Sequence, residues 1–362
     1  MNTTLPTPYL IIDGKIAQRN LARLAHYAEQ HDLGVRPHTK THKSQWLGQM
    51  QMRAGAIGLT VAKVGEAEVM AQATDDLLLA YPAVDKPRTT RLAKLAMHKT
   101  VRVGIDSIDA ANALSAAACA AASTIGILVD IDVGMHRTGL QTPEQALTLA
   151  QHVDRVAGLR LDGIMFYPGH IWSPPDQQGP ALEEVARTIA GVLDIWDSHG
   201  LEAGIISGGS TPTAFNSHLL PELTEIRPGT YIFNDMNGVY GGHCTLDDCA
   251  ARIVCTVVSD AVPGQVVIDA GTKTFTSDRC VAAPESGHGY ILEYPEAKIT
   301  RLSEEHGQVD ITACASRPRI GEQVTVIPNH ICPCINLQSR YYWQMDGEEP
   351  MPLNVDARGL LS

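Results

Sequence analysis

Hydrophobic and polar positions alternate in two different rhythms along the first two-thirds of the chain. Short runs rich in β-branched residues predict eight strands, at 34–39, 56–61, 76–81, 100–106, 124–132, 160–167, 203–207 and 223–227. Longer runs with apolar residues at helical spacing predict helices at 15–30, 63–73, 88–98, 107–118, 143–156 and 181–199. Eight strands connected by such helices are typical of a parallel (β/α)8 barrel, the TIM-like α/β fold. The alternative is an open doubly wound sheet, but no GxGxxG turn follows the first strand.

The last third of the chain has short β-rich runs separated by Gly and Pro. These runs, at 251–258, 265–269, 309–315 and 323–328, predict a mostly-β second domain. Tyr9–Asp13 is also strand-like and stands outside the eight barrel strands, so we expect it to pair with the second domain. The predicted division is a barrel over 14–245 and a β-rich domain formed by 1–13 plus 246–362.

Charge and hydropathy exclude several classes of protein. The 362 residues include 28 Lys+Arg and 40 Asp+Glu, a net charge of −12, whereas nucleic-acid binding requires a basic surface. No apolar stretch reaches the ~18–20 residues of a membrane span, and the first residues lack the pattern of a signal peptide. We therefore expect a cytoplasmic protein without nucleic-acid or membrane partners. The eight cysteines are scattered, which fits free thiols rather than a disulfide framework.

Two loops at the ends of predicted strands could bind a small anion. In a barrel of this kind the chemistry lies at the carboxyl ends of the strands. Gly-Gly-Ser-Thr at 208–211 follows the seventh strand, and its backbone N–H groups and hydroxyls can approach a phosphate closely. Pro-Gly-Thr at 228–230 follows the eighth strand. Because phosphate sites in barrels often lie after strands seven and eight, these loops predict one here.

A lysine at the end of the first predicted strand indicates covalent chemistry. Lys40 stands among Arg36, His38, His42 and Lys43, and like charges nearby disfavour the ammonium form of a lysine. A deprotonated lysine can form a Schiff base with an aldehyde. A lysine amine combined with a phosphate anchor points to pyridoxal phosphate as the cofactor. The spacing alone does not decide between Lys40 and Lys43.

Six motifs, in this order along the chain, resemble those of one enzyme family. They are RPHTKTHK, GGSTP, RPGTYIFND, DAGTKTFTSD, SEEHG and PNHICP. The chain is similar to the fold-type III pyridoxal-phosphate enzymes, and more narrowly to the branch of D-threonine aldolases and D-serine dehydratases, which is related to alanine racemase. The resemblance runs from about Thr7 to about Leu337. It implies a homodimer that acts on a small D-amino acid.

The resemblance also implies roles for residues of the barrel. Lys40 would be the Schiff-base lysine, and Arg137 would contact the phenolate oxygen of the cofactor. Tyr167 and His170 would lie near cofactor and substrate, so the candidate catalytic residues are Lys40, Tyr167 and His170. The residues expected to bind the cofactor are Lys40, Arg137, Tyr167, Gly208, Gly209, Ser210, Thr211, Gly229, Thr230 and Tyr231.

Members of this branch bind a divalent metal through a His-x-Cys or His-x-Asp pair, which here would be His330 and Cys332. In an extended segment, residues i and i+2 face the same side, so both side chains could ligate one ion. Imidazole and thiolate suit Zn²⁺, with Mn²⁺, Mg²⁺ or Co²⁺ as alternatives. Cys334 would stand in phase with Cys332 as a spare ligand or as packing, and His306 of SEEHG would lie near the site.

The resemblance leaves two reactions open. One is dehydration of a D-3-hydroxy amino acid such as serine, threonine or 3-hydroxyaspartate, which gives a 2-keto acid and ammonia. The other is retro-aldol cleavage to glycine and an aldehyde. Dehydration is favoured for two reasons. A cysteine in the second metal position resembles the dehydratases. The aldolases also carry a histidine base some residues beyond the Tyr167 position, whereas the only histidine soon after Tyr167 here is His170. A non-catalytic pyridoxal-phosphate-binding barrel is a remote alternative, against which the second domain argues.

Overall fold

The computed structural model of the chain describes residues 5–362. Residues 1–4 lie outside the described residues. The predicted β-rich domain and the segment compared with a signal peptide both begin with these residues. The chain divides into a barrel unit (23–40, 45–229 and 360–362) and a β-rich unit (residues up to Ala22, 41–44 and 230–359). This division counts 14–22 and 230–245 with the β-rich unit rather than with the barrel. The domain boundaries given above stay a prediction.

Eight parallel strands form the sheet of the barrel unit. The first described strand, β1 (Tyr9–Asp13), belongs to the β-rich unit. The barrel strands are β2 (Gly34–Val35), β3 (Leu59–Val61), β4 (Asp76–Leu79), β5 (Thr100–Ile105), β6 (Ile125–Ile131), β7 (Leu159–Phe166), β8 (Ile205–Gly208) and β9 (Glu225–Ile226). They pair in the order β2-β9-β8-β7-β6-β5-β4-β3, and a parallel bridge between His38 and Thr60 joins the two ends of this row. The eight predicted strands and the TIM-like fold are confirmed.

Ten α-helices occur in the described part of the chain. They are α1 (Gly14–Gln30), α2 (Gln45–Arg53), α3 (Val64–Met70), α4 (Lys86–Leu95), α5 (Ile108–Ala120), α6 (Pro143–Arg155), α7 (Gly179–Asp197), α8 (Met236–Tyr240), α9 (Thr272–Phe275) and α10 (Ile331–Leu337). All six predicted helices are present. The sequence did not predict α2, whose stretch QWLGQMQMR holds as many apolar as polar residues and contains a glycine. Within residues 5–362, no helix is both long enough and apolar enough to cross a membrane.

Local sequence signals explain where the barrel helices begin and which face they bury. The carboxylate of Asp85 accepts the Arg88 N–H at 3.1 Å and begins α4, and Thr142 forms a capping box with Gln145 at the start of α6. Helix α7 buries apolar residues at three- and four-residue spacing: Leu182, Val185, Ile189, Val192 and Trp196. These faces cover the sheet, so the barrel follows from local capping and periodicity.

Paired charges lie inside the barrel toward the amino ends of its strands. Arg36, only 2% exposed, donates to Glu225 Oε2 at 2.9 Å and to Asp76 Oδ1 at 2.5 Å. Arg102 contacts Asp76 at 2.6 Å and Asp162 at 2.7 Å. Buried charges are tolerated when they are paired in this way. Asp76 and Glu225 begin β4 and β9, so this network lies away from the carboxyl ends where the chemistry is expected.

The β-rich unit contains β1 and eight further strands. These are β10 (Ala251–Ser259), β11 (Gln265–Ile268), β12 (Tyr290–Ile291), β13 (Lys298–Leu302), β14 (Gly307–Asp310), β15 (Gln323–Ile327), β16 (Arg340–Gln344) and β17 (Met351–Asn354). The main path is β13-β14-β11-β10-β1-β16-β17, with β15 paired to β10 and β12. Strand β1 pairs with β10 and β16, which confirms its predicted partner domain. The strand predicted at 309–315 ends at Asp310. The carboxylate of Asp310 accepts the Thr312 N–H at 2.9 Å, and this contact turns the chain.

Candidate active site

Lys40 lies in a short 3-10 turn, Thr39–Thr41, that follows the first barrel strand. The neighbouring strand anchors the turn. The Thr39 hydroxyl donates to the Thr60 carbonyl at 3.1 Å, and the Thr60 hydroxyl donates to the Arg36 carbonyl at 2.8 Å. The side chain of Lys40 is half-buried, and its amine has no hydrogen-bond or ionic partner among residues 5–362. This amine is therefore available for a covalent bond to a ligand.

The amine of Lys43 is occupied within the β-rich unit. It donates to Asn336 Oδ1 at 2.8 Å and to the Ala357 carbonyl at 3.4 Å, and the residue is 4% exposed. Of the two lysines that spacing left open, Lys43 is thus held by the protein, whereas Lys40 is not. This contrast favours Lys40 as the cofactor-binding lysine.

Arg36 was expected to be one of the cationic neighbours that favour the neutral amine of Lys40, and this expectation is wrong. That guanidinium is buried and paired with Glu225 and Asp76, so its charge is neutralised inside the barrel. His42 Nδ1 accepts the Ser44 N–H at 3.1 Å, which leaves that nitrogen unprotonated.

The loop after β6 is organised by the buried carboxylate of Asp132. It accepts the N–H groups of Gly134 and His136 at 3.0 Å each, His136 Nδ1 at 2.7 Å and Gln141 Nε2 at 3.0 Å. Burial alone would raise the pKa of Asp132, but these hydrogen bonds outweigh it and lower the pKa to about 2. The sequence analysis did not single out this residue. Asp132 shapes the loop that carries Arg137.

Three side chains predicted for the site are carried by the loops at the carboxyl ends of β6 and β7. The guanidinium carbon of Arg137 lies 4.9 Å from the centroid of the Tyr167 ring. The Tyr167 ring lies so close over Gly169 that a Cβ there would overlap it. The His170 ring lies against Gly134, where a Cβ would come within 2.9 Å of His170 Nε2. The arginine, the tyrosine and the histidine are thus placed by two glycines that permit close approach.

Two glycines shape the loop after β8, where a phosphate cradle was expected. Gly209 has φ +81, a conformation that favours glycine, and a Cβ on Gly208 would overlap the Phe166 ring. The Ser210 N–H, however, donates to Thr213 Oγ1 at 3.2 Å, and the Ser210 and Thr213 hydroxyls are 3.0 Å apart. These bonds rigidify the loop. The role of Ser210 as a phosphate ligand stays a prediction.

Arg227 is a buried cation that the sequence analysis missed. It donates to Ser207 Oγ at 2.6 Å and to the Phe166 carbonyl at 2.8 Å, and burial lowers its pKa to about 10. It stands two residues before Gly229 in the motif RPGTY, and an arginine at the end of a barrel strand was the available signal. Gly229 and Thr211, both expected to bind phosphate, lie at the partly exposed ends of their loops.

Thr230 and Tyr231 belong to the β-rich unit, in the 3-10 turn Thr230–Ile232. Tyr231 is buried, with 5% of its surface exposed. Thr230, expected near the cofactor phosphate, has its hydroxyl 3.5 Å from Cys332 Sγ. Within this unit Thr230 therefore contacts the proposed metal-binding thiol.

His330 and Cys332 meet, but not through the extended segment that was expected. That expectation is wrong because α10 begins at Ile331, so Cys332 lies in the first turn of a helix. The helix begins there since the buried carboxylate of Asp235 accepts the Ile331 N–H at 3.0 Å. The two side chains form a hydrogen bond with each other. Burial opposes protonation of His330, but this bond and the nearby acidic groups outweigh it and raise its pKa to about 9.

The donors around this pair fit a divalent metal. Thr41 Oγ1 lies 3.2 Å from Cys332 Sγ, and Asp278 Oδ2 lies 3.0 Å from His330 Nδ1. An imidazole and a thiol in contact, with a carboxylate behind the ring, are the ligand types of zinc sites. Residues 5–362 contain no group of three or more His, Cys, Asp or Glu side chains placed to hold an ion. Water or substrate would therefore complete the coordination.

The two further residues considered for this site have other positions. The Cys334 thiol is buried and donates to the carbonyls of Phe275 at 3.2 Å and His330 at 3.1 Å. It is thus bonded within the protein rather than offered as a spare ligand. His306 is exposed in the turn between β13 and β14, where its carbonyl accepts the Ser303 N–H at 2.9 Å.

Two family models match the chain one after the other. The model "Alanine racemase, N-terminal domain" covers residues 12–236, and the model "Putative serine dehydratase domain" covers residues 250–344. The D-threo-3-hydroxyaspartate dehydratase of Delftia sp. is 30% identical over 353 residues, which are 91% of this chain and 91% of that protein. The D-threonine aldolase of Arthrobacter sp. is 28% identical over 360 residues, covering 98% and 93%. The D-serine dehydratase of Dictyostelium discoideum is 26% identical over 369 residues, covering 93% of each.

Solved structures of enzymes with these names superpose on the chain. The D-threonine aldolase from Filomicrobium marinum superposes with a TM-score of 0.90 and 28% identity, covering 99% of this chain and 97% of the other. A Cys-to-Ala variant of D-threo-3-hydroxyaspartate dehydratase in the metal-free form gives 0.90 and 27%, covering 97% of each. The alanine racemase of Clostridium difficile, at 14% identity and a TM-score of 0.74 over 98% of this chain and 100% of that one, shares the fold. The chain therefore belongs to the fold-type III pyridoxal-phosphate enzymes, in the lyase branch of D-threonine aldolases and D-serine and 3-hydroxyaspartate dehydratases.

Proposed function

We propose that this protein is a pyridoxal-phosphate- and divalent-metal-dependent lyase that dehydrates D-3-hydroxy amino acids to 2-keto acids and ammonia. The observation that carries the proposal is the contact between His330 and Cys332, because imidazole and thiolate together are ligands for a divalent metal. Two observations support the proposal. Dehydratases are among the relatives, and the structure of one dehydratase variant is described as its metal-free form.

The residues of the barrel unit fit pyridoxal phosphate. Lys40 has an unoccupied amine, and Arg137 offers a cation held over the Tyr167 ring. The loop with Gly209 at φ +81 offers backbone N–H groups for the phosphate. When bound, the cofactor acts as an electron sink for the negative charge that develops at the Cα of an amino acid.

The residues of the β-rich unit fit a single metal ion. His330 and Cys332 would hold it, and Zn²⁺ suits this pair best, with Mn²⁺, Mg²⁺ and Co²⁺ as alternatives. The ion would supply Lewis-acid stabilisation of the substrate's 3-hydroxyl oxygen as it leaves. Two protein ligands leave positions open for that oxygen.

The side chains of the chain itself would move the protons. Lys40 would hold the cofactor, and its amine, when free, would remove the Cα proton of the substrate. Tyr167, whose ring is fixed between Arg137 and Gly169, orients the substrate. His170 is able to donate a proton to the leaving hydroxyl. Loss of water leaves an enamine of the substrate, which hydrolyses to the 2-keto acid and ammonia.

Retro-aldol cleavage is the second candidate, and one observation favours it. The exposed His170 ring lies beside Gly134, and an imidazole at this position could take the proton of the substrate hydroxyl. The Cα–Cβ bond would then break to give glycine and an aldehyde. Aldolases are among the relatives at 28% identity, so similarity alone does not choose between the two reactions.

Product analysis with D-threonine distinguishes the candidates. We expect 2-ketobutyrate and ammonia from the protein loaded with cofactor and Zn²⁺, with D-serine giving pyruvate and ammonia. Glycine and acetaldehyde would establish the aldolase instead. If the protein binds the cofactor but forms no product from D-serine, D-threonine or D-3-hydroxyaspartate, the proposed reaction is rejected and the non-catalytic alternative holds. The Lys40→Ala variant serves as the inactive control.

Two expectations from the sequence stay predictions. A homodimer would elute in size-exclusion chromatography with light scattering at twice the 39.0 kDa of the chain. A cytoplasmic location would be tested by cell fractionation.

A further inference from the structure

We propose that Asp278 is a positioning residue of the metal site, which binds Nδ1 of His330 and so presents Nε2 of the same ring to the metal ion. The inference rests on the proposed function, because it concerns the ion that His330 and Cys332 would hold. It adds a residue that neither the motif PNHICP nor the spacing of the pair contains.

The contact between Asp278 and His330 is direct. Asp278 Oδ2 lies 3.0 Å from His330 Nδ1, across 52 residues of sequence. The histidine side chain is 41% exposed and the aspartate side chain 43%, and an ion pair as exposed as this contributes little to the stability of the fold. Stability therefore gives little reason for the contact, whereas ligand orientation gives a specific one.

A buried asparagine brings the carboxylate to the ring. Asn329, which precedes His330 and is 3% exposed, donates from Nδ2 to the Asp278 carbonyl at 3.0 Å and to the Gly287 carbonyl at 2.8 Å. Its Oδ1 accepts the Cys280 thiol at 3.1 Å. The backbone of Asp278 is thus tied to the residue next to the proposed ligand, so the aspartate and the histidine are held in register.

The chemistry of histidine ligands explains what this arrangement does. A ring that binds a metal through one nitrogen usually donates the N–H of the other nitrogen to a carboxylate, which sets the tautomer and makes the ligand more basic. With Nδ1–H donated to Asp278, the lone pair is on Nε2. Asp235 has a different task, since its carboxylate accepts the Ile331 N–H and fixes the backbone rather than the ring.

Zinc affinity tests the proposal without reference to turnover. Zn²⁺ is titrated against a competing chelator into metal-free protein that retains pyridoxal phosphate. We expect Asp278→Ala to weaken Zn²⁺ binding by about 10- to 100-fold, the usual effect of removing such a partner. Asp278→Asn, which keeps an acceptor oxygen, should recover part of the loss. Asp260→Ala, at an exposed aspartate of the same unit, is the matched control and should bind as the unmodified protein does.

The outcomes separate this inference from the proposed function. If the unmodified protein binds Zn²⁺ and Asp278→Ala binds it equally well, the role of Asp278 is rejected and the metal site stands. If the unmodified protein binds no divalent metal, the proposed metal dependence fails, and the inference fails with it.

A second measurement reads the ring of His330 in the unmodified protein, and a variant serves only to assign its signals. Histidine ¹⁵N chemical shifts of the Zn²⁺-loaded protein, with His330→Ala for assignment, report which ring nitrogen carries the proton. We expect protonated Nδ1 and metal-bound Nε2. Zinc bound to Nδ1 would overturn the proposal.

Discussion

Thr41 Oγ1 lies 3.2 Å from Cys332 Sγ, although 291 residues separate them in the chain. Thr41 directly follows Lys40 in the turn Thr39–Thr41. The residue after the proposed cofactor lysine therefore contacts the proposed metal ligand. Under the proposed function, the motif RPHTKTHK would contribute its lysine to the cofactor and the next threonine to the surroundings of the metal ligand.

Replacing Cys332 by Ala should remove metal binding and turnover together. The thiolate is one of only two protein ligands in the proposal, so we expect at least a 100-fold loss of kcat/KM and of Zn²⁺ affinity. Zinc titration and product assays check this. Cys314→Ala is the matched control, because that cysteine also lies in the β-rich unit and is partly exposed. Full activity of Cys332→Ala would reject the metal assignment.

The two lysines of the motif should behave differently. Borohydride treatment should attach the cofactor to Lys40, and Lys40→Ala should lose the visible absorption of bound pyridoxal phosphate. Lys43→Met should keep that absorption and instead lose about 1–3 kcal/mol of stability, because it leaves Asn336 Oδ1 without its charged donor. Peptide mapping locates the labelled lysine, and urea unfolding measures the stability of Lys43→Met. A label on Lys43 would reverse the assignment.

Gly169→Ala should disturb the Tyr167 ring without removing a functional side chain. The added Cβ would overlap the ring, which then has to leave its place beside Arg137. We expect kcat to fall by roughly 10- to 100-fold, as small displacements in a catalytic site commonly cause. Gly179→Ala is the control, since a Cβ there meets no atom within 4 Å. Equal kinetics for the two variants would show that the position of Tyr167 is unimportant.

Asp132→Asn should loosen the loop that carries Arg137 and change the acid stability. The pKa of about 2 means that the ionised carboxylate stabilises the fold above its ordinary pKa near 4, and that this stabilisation is lost as pH falls toward 2. The variant should lose about 2 kcal/mol at neutral pH, and the difference from the unmodified protein should shrink in acid. Urea unfolding at several pH values measures it. A difference that does not depend on pH would contradict this account.

Asp130 should show the opposite pH dependence. Burial raises its pKa to about 6, although the Thr138 hydroxyl, which donates to it at 2.8 Å, and Arg227 oppose the rise. The folded protein therefore binds a proton that the unfolded chain releases between about pH 4 and 6, so stability falls as pH rises through this window. The slope from this group is about 1 kcal/mol per pH unit. The same slope in Asp130→Asn would show that another group causes it.

Local information was enough to predict the eight barrel strands and six of the ten α-helices of the described residues. Runs of β-branched residues mark the eight barrel strands, and capping residues such as Asp85 and Thr142 mark the starts of helices. The ends of the strands were less predictable. The first strand was expected over 34–39 but pairs continuously only as Gly34–Val35. His38 adds an isolated bridge to Thr60, and Thr39–Thr41 then form the turn of Lys40.

The sequence by itself determined the barrel, the β-rich second part and the motifs that carry the family resemblance, because these are encoded by residues close together in the chain. Only the tertiary structure decided which lysine keeps an unoccupied amine, that Cys332 lies in the first turn of a helix, and which groups the carboxylates of Asp132 and Asp278 contact. Asp278 ends the motif DAGTKTFTSD, but the motif does not show which group the carboxylate contacts. Its role depends on the groups that folding brings to it, and for Asp278 that group lies 52 residues away.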